Sequence, residues 1–71
     1  MKLDQLNWTA VCCGGHGELA YGKTVAGGDA RLKRAPGDPV IQVCRFGIDK
    51  DADGVPVYVE MTEAEAMALL A

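Results

Sequence analysis

One stretch of the sequence carries a predicted strand into a predicted helix: Val57-Tyr58-Val59-Glu60-Met61-Thr62-Glu63-Ala64-Glu65-Ala66-Met67-Ala68-Leu69-Leu70-Ala71. Glu65 stands three residues after Thr62, which is the spacing of a capping box. In that arrangement the threonine hydroxyl and the glutamate carboxylate each accept a backbone N–H at the start of the helix. Because so short a helix is unstable alone in water, we expect the face formed by Ala66, Met67 and Leu70 to dock on a sheet.

Turn signals divide the preceding sequence into runs rich in strand-forming residues. The turns are Gly14-Gly15-His16-Gly17, Gly27-Gly28, Pro36-Gly37-Asp38-Pro39 and Asp53-Gly54, and the runs are 7–13, 18–26, 29–35, 40–48 and 55–61. Parallel strands need long crossover connections, so this spacing predicts an antiparallel meander. The predicted fold is therefore α+β, with a four- or five-stranded antiparallel sheet and one short C-terminal helix packed on it. We expect a single small domain over residues 1–71.

Alternation along two of the runs predicts which side chains share a face. Leu19, Tyr21 and Val25 share one face of the second run. In the fourth run, one face is shared by Val40, Cys44, Phe46 and Ile48, and Gln42 interrupts the series. So small a core could use every aromatic side chain of the chain, and any that is exposed is the expected anchor of a protein interface.

The charges are unevenly distributed around a net charge of −3. Residues 1–36 carry five basic and three acidic side chains, whereas residues 37–71 carry two basic and seven acidic ones. An acidic domain repels phosphate at long range, so we expect no direct binding of nucleic acid. The basic run Arg31-Leu32-Lys33-Arg34 could still contact a phosphate, but we interpret it as a solvated strand edge.

Cysteine usage and hydropathy bear on the compartment. The three cysteines Cys12, Cys13 and Cys44 form no regular framework of disulfide spacings. The longest apolar run is too short to cross a membrane, and the polar N-terminal residues do not resemble a secretion signal. We expect a cytoplasmic protein with reduced thiols and no membrane partner.

Two stretches match well-known ligand-binding patterns. Gly17-Glu18-Leu19-Ala20-Tyr21-Gly22-Lys23-Thr24 fits the phosphate-binding P-loop, but a P-loop needs a helix that starts at its Lys-Thr pair, and Gly27-Gly28 follows too soon. Asp49-Lys50-Asp51-Ala52-Asp53-Gly54, followed by Glu60, fits the calcium loop of an EF-hand. Its flanks predict strands rather than helices, so we interpret it as an acidic hairpin loop. Calcium binding through Asp49, Asp51 and Asp53 is kept as an alternative.

The remaining chemical possibilities use the cysteines. Cys12, Cys13, His16 and Cys44 are ligand types for zinc, although only Cys13 and His16 have a spacing typical of a structural site. The same two residues could form a Cys–His pair, yet no third group is evident that would orient them for catalysis. We therefore predict a protein without catalytic activity or cofactor, and keep a zinc domain as an alternative.

The acidic half suggests a binding surface. Asp49, Asp51, Asp53, Glu60, Glu63 and Glu65 are expected to gather around one loop and the start of the helix, near Tyr58. Such a cluster could pair with a basic groove on a protein or nucleoprotein complex. A solvating face that keeps the protein soluble is an equally good interpretation. A structural or assembly subunit, dimerising through a sheet edge, is a further alternative.

The segment Val57-Tyr58-Val59-Glu60-Met61-Thr62-Glu63-Ala64-Glu65-Ala66, together with the size of the chain, resembles the small accessory proteins of bacteriophages and prophages. Among them, the resemblance is to proteins of the anti-CRISPR type. That resemblance implies a stoichiometric, non-catalytic inhibitor of a bacterial defence complex. It assigns no role to any individual residue.

Overall fold

The fold is an antiparallel meander followed by one helix, as predicted. The computed structural model describes residues 3–11 and 17–71. Its elements are a 3₁₀ turn (Leu3–Gln5), β1 (Thr9–Ala10), β2 (Glu18–Lys23), β3 (Asp29–Arg34), β4 (Val40–Arg45), β5 (Val59–Thr62) and α1 (Glu63–Leu69). The strands lie in the order β1-β2-β3-β4-β5, each antiparallel to the next. The α+β prediction is confirmed.

The predicted capping box starts helix α1. The backbone N–H of Glu65 donates to Thr62 Oγ1 at 3.2 Å, and the backbone N–H of Thr62 donates to Glu65 Oε1 at 3.1 Å. The helix ends at Leu69, because Leu70 is extended and forms an isolated bridge with Thr24. Within the described residues no helix is long and apolar enough to cross a bilayer.

One side of the sheet, here called the inner face, carries the core. The core consists of Leu3, Ala30, Leu32, Ile41, Val43, Ala66 and Leu70, with Leu6, Trp8, Met61 and Leu69 packed against it. Small residues let the turn and the helix approach the sheet closely. A Cβ atom at Gly22 would lie 3.2 Å from a methyl carbon of Leu70, so a side chain there would crowd Leu70, and it would be in ordinary contact with Leu6 at 3.5 Å.

The docking face of α1 differs from the predicted one at one position. Ala66 and Leu70 are buried as expected, but Met67 is 36% exposed and Leu69 packs against the core instead. Met67 borders a groove between the N-terminal turn and the helix, where Leu3, Asp4 and Glu63 are its neighbours. The helical spacing therefore identified Ala66 and Leu70 as docking residues but not Leu69.

Three predicted strands extend too far, and a fourth starts too early. Of the run 7–13, only Thr9–Ala10 is a strand among the described residues. The second run ends at Lys23 rather than residue 26, and the fourth ends at Arg45 because the chain turns at Gly47, where φ is +82°. The fifth strand begins at Val59, not residue 55, because the segment before it closes a loop through a bridge between Lys50 and Pro56.

Candidate binding surface

The side of the sheet opposite the core, here called the outer face, is covered by neither α1 nor the N-terminal turn. In one cross-strand row Tyr21 lies beside Arg31 and Arg31 beside Cys44. In the next row Lys33 lies between its partners on β2 and β4. The face comprises Leu19, Tyr21, Arg31, Lys33, Gln42 and Cys44, with Phe46 and Tyr58 from the segment after β4. The loop after β4 closes over Cys44, which is fully buried with its Sγ 3.6 Å from the Asp49 carbonyl oxygen.

Two aromatic side chains stand open to solvent on the outer face. Tyr21 is 60% exposed and Phe46 is 43% exposed, and their ring centroids lie 6.4 Å apart with the planes tilted by 41°. Ile48, two residues beyond Phe46, is 56% exposed. Exposed aromatic side chains that already contact each other form an apolar patch of the kind that anchors protein interfaces.

The same face holds two cations around one ring. The guanidinium carbon of Arg31 lies 5.3 Å from the centroid of Tyr58, and Lys33 Nζ lies 5.9 Å from it. A hydrogen bond to Tyr21 raises the pKa of Arg31, although partial burial acts against it. Arg31 Nε is itself buried and has no acceptor among the described residues. The aromatic rings therefore position both cations without neutralising them.

Three other basic side chains, in contrast, form ion pairs with carboxylates. Arg34 pairs with both Glu18 and Asp4 and lies over the Trp8 ring. Lys23 forms an ion pair with Asp29, and Arg45 forms one with Asp49. In the described part of the chain, by contrast, no carboxylate lies within ion-pair distance of Arg31 or Lys33. Arg31 and Lys33 are thus outer-face cations without a carboxylate partner, although Glu60, which pairs with Gln42, lies on the same face.

Asp49 is the first residue of the predicted acidic cluster, and its carboxylate is hydrogen-bonded within the fold. Arg45 Nε and Nη2 donate to its two oxygens at 3.0 Å each, and the backbone N–H of Arg45 donates to Oδ2 at 2.8 Å. The side-chain hydrogen bonds from Arg45 lower the pKa of Asp49, against the effect of its burial. Asp49 is nearly buried, so it does not form part of an accessible binding surface.

Asp51 also stabilises the loop in which it lies. Its Oδ1 accepts the backbone N–H groups of Asp53 and Val55, at 2.8 Å and 3.0 Å. Gly54 completes the turn with φ at +83°. Asp53 is exposed and contributes its backbone, rather than its carboxylate, to this network.

The remaining acidic residues lie away from that loop. Glu60 is exposed on β5, opposite Gln42 of β4. Glu63 and Glu65 lie beyond the far end of β5, in the first turn of α1. Because β5 separates the loop from the helix start by about 10 Å or more, the six acidic residues do not form one cluster. The part that these six acidic residues and Tyr58 play in binding stays a prediction.

The two ligand-binding patterns have geometries unlike those of the sites they match. Residues 18–23 are strand β2, and the backbone N–H of Gly27 donates to the Thr24 carbonyl in a turn where a P-loop would begin its helix. In the acidic pattern, Glu60 lies on β5 while Asp49 binds Arg45. Across the described ranges, no three His, Cys, Asp or Glu side chains converge in a group that could hold a metal ion.

The zinc and Cys–His alternatives depend on residues outside the described part of the chain. Cys12, Cys13 and His16 all lie there. Cys44 is described, and its thiol donates to the carbonyl oxygen of Asp49 inside the fold. Those two alternatives stay predictions.

Sequence reasoning missed the role of Arg31 and Lys33. The basic run was interpreted as a strand edge, but β3 lies in the middle of the sheet, with β2 on one side and β4 on the other. Alternation within the run was the available signal, since Leu32 is fully buried between two polar neighbours. Because β3 is a central strand, its cations Arg31 and Lys33 lie within a sheet face and not along an edge of the sheet.

The chain has no detected relatives that bear on this surface. It matches no protein-family model, and comparison with curated proteins and with solved structures finds no significant match. The fold and the outer face define the class, a small α+β domain with exposed aromatic side chains and two unpaired cations on one face of its sheet.

Proposed function

We propose that this protein is a non-catalytic protein-binding module that uses the outer face of its sheet. The observation that carries the proposal is the exposed Tyr21–Phe46 pair beside two cations without carboxylate partners. Antiparallel sheets commonly pack one face on the core and expose polar side chains on the other, but here Tyr21 and Phe46 lie exposed on the solvated face. Binding a partner would bury them.

The site chemistry agrees with binding rather than catalysis. Arg45 and Asp49 are hydrogen-bonded to each other. The cations of the outer face lie against the Tyr58 ring and not against a group that could act as a nucleophile or base. Aromatic and arginine side chains are also the types that dominate binding hot spots.

The test is capture of partners from bacterial lysate by the immobilised protein, compared with two variants. We expect one or two stoichiometric partners to be retained by the wild-type protein and lost by Tyr21→Ser/Phe46→Ser. The matched control is Met67→Ser, which removes an exposed apolar side chain from the helix on the other side of the sheet. Partners that bind the double variant as well as the wild type would contradict the use of the outer face.

A narrower proposal is that the partner belongs to a bacterial defence complex and that the protein inhibits it. The support for this is the resemblance of residues 57–66 and the small size of the chain to phage accessory proteins. The identity of the captured proteins tests it, because defence nucleases or guide-RNA complexes should be among them. If the stoichiometric partner is a copy of this chain, the assembly-subunit alternative replaces the inhibitor proposal.

A further inference from the structure

We propose that the outer face binds an acidic segment of its partner protein, with carboxylates on Arg31 and Lys33 and an apolar side chain on Tyr21 and Phe46. This inference rests on the proposed function, since it names the chemistry of the partner for the same face. It reverses the expectation from the charge of the whole chain, in which acidic residues of this protein would bind a basic partner.

Charge complementarity is the first argument. Arg34, Arg45 and Lys23 have carboxylate partners within the fold, whereas Arg31 and Lys33 have none among the described residues. A partner carboxylate that reached their terminal nitrogens would form charge-assisted hydrogen bonds.

Preorganisation is the second argument. Contacts with the Tyr58 ring restrict both cationic side chains before any ligand binds. Flexible lysine and arginine side chains otherwise lose considerable conformational entropy on binding. Holding them in place therefore lowers the cost of binding an anion at this position.

The spacing of the two cations constrains the ligand. Arg31 and Lys33 occupy alternate positions of β3, so their backbone positions on the same face are about 6.6 Å apart. An extended peptide repeats its own side chains at the same interval. The preferred segment therefore carries acidic residues at positions i and i+2. Tyr21, directly across from Arg31, places the apolar contact beside the acidic pair.

A nucleic acid suits this face less well than an acidic peptide. Single-stranded nucleic acids need open ring faces on which bases stack, together with a track of several cations. Here the Tyr58 ring is already occupied by the two cations, and the Tyr21 and Phe46 rings tilt towards each other. The two unpaired cations of the outer face, in the described part of a chain with a net charge of −3, also make a weak phosphate track.

The experiment begins with a display library of random peptides about a dozen residues long, selected on the folded protein. Selection is repeated on Tyr21→Ser/Phe46→Ser to identify peptides that bind elsewhere. We expect the peptides specific to the wild-type face to carry Asp or Glu at i and i+2 next to a large apolar residue. Affinities of a selected peptide are then measured by fluorescence anisotropy.

Charge is tested on both partners. Replacing the acidic residues of the peptide by Asn or Gln should weaken binding about tenfold or more, and Lys33→Gln and Arg31→Gln should each weaken it similarly. Lys50→Gln is the matched control, because Lys50 is an exposed lysine outside the cross-strand rows of Arg31 and Lys33 and its loss changes the net charge equally, so the affinity should stay unchanged. The neutral peptide keeps the test valid even if Arg31→Gln destabilises the central strand.

The outcomes separate this inference from the proposed function. Peptides that require Tyr21 and Phe46 but are neutral or basic, or that bind Lys33→Gln unchanged, would overturn the acidic ligand and leave the docking face intact. Competition by an oligothymidylate of similar length at the same face would overturn it in favour of nucleic acid. If no peptide prefers the wild type over Tyr21→Ser/Phe46→Ser, the docking face itself is refuted.

Discussion

At the scale of single residues, the acidic loop shows how one sequence pattern serves a different purpose from the one it suggests. Asp49 accepts three hydrogen bonds from Arg45, and Asp51 accepts two from its own loop. The two carboxylates supply hydrogen-bond acceptors for Arg45 and for the backbone N–H groups of the loop. Spacing alone does not distinguish a carboxylate that binds a cation from one that holds a turn.

The Arg45–Asp49 pair predicts how stability depends on pH. Since Arg45 lowers the pKa of Asp49 in the folded state, the unfolded chain binds the proton more readily. The stabilisation is therefore complete above the ordinary aspartate pKa of about 3.9 and is lost as the pH falls through the lower folded pKa. Asp49→Asn should lower the Tm by several degrees at pH 7 and flatten the loss of stability below about pH 4.

Thermal unfolding followed by circular dichroism from pH 7 down to about pH 2 measures this effect. Asp53→Asn is the matched control, since the Asp53 carboxylate is exposed and makes no side-chain hydrogen bond within the described loop. Equal acid sensitivity in the wild type and Asp49→Asn would show that other carboxylates dominate.

At the scale of elements, the junction between β5 and α1 is specified by local sequence. The capping box forms between Thr62 and Glu65 with both reciprocal bonds in place, and both residues are exposed. The contribution of the box can therefore be separated from that of burial. The docking of the helix, in contrast, depends on Ala66 and Leu70.

Thr62→Ala should destabilise the protein by about 1 kcal/mol, because the N-terminal amides of a short helix lose their acceptor. Thr62→Ser keeps the hydroxyl and should stay close to the wild type. Urea unfolding of the three proteins gives the comparison. Equal stability of the alanine and serine variants would mean that the box contributes nothing in this fold.

At the scale of the whole molecule, the end of the chain returns to β2 and closes the inner face. The backbone N–H of Val25 donates to the Leu69 carbonyl at 2.9 Å, and the N–H of Ala71 donates to the Lys23 carbonyl at 2.9 Å. Between them, Leu70 inserts its side chain over Gly22. The helix is thus attached to the sheet through β4 and β5 and again through the end of β2.

Leu70→Ala should accordingly cost about 2–5 kcal/mol, because it opens a cavity in a thin core. Met67→Ala, three residues earlier on the same helix and 36% exposed, should cost less than about 1 kcal/mol. The free energy of unfolding of each variant, measured in urea, gives the comparison with the wild type. Similar losses for both variants would restore Met67 to the docking face that helical spacing predicted.

The sequence alone determined the α+β meander and the capped helix, because turn residues and capping boxes act over a few neighbouring positions. It did not determine which face of each strand is buried. Alternation with a period of two identifies the residues that share a face, but it treats the two faces alike. Only the tertiary structure decided that Ala20 is buried and Gly22 lies beneath Leu70 while Tyr21 and Phe46 face solvent, because burial depends on where the distant helix and N-terminal turn pack.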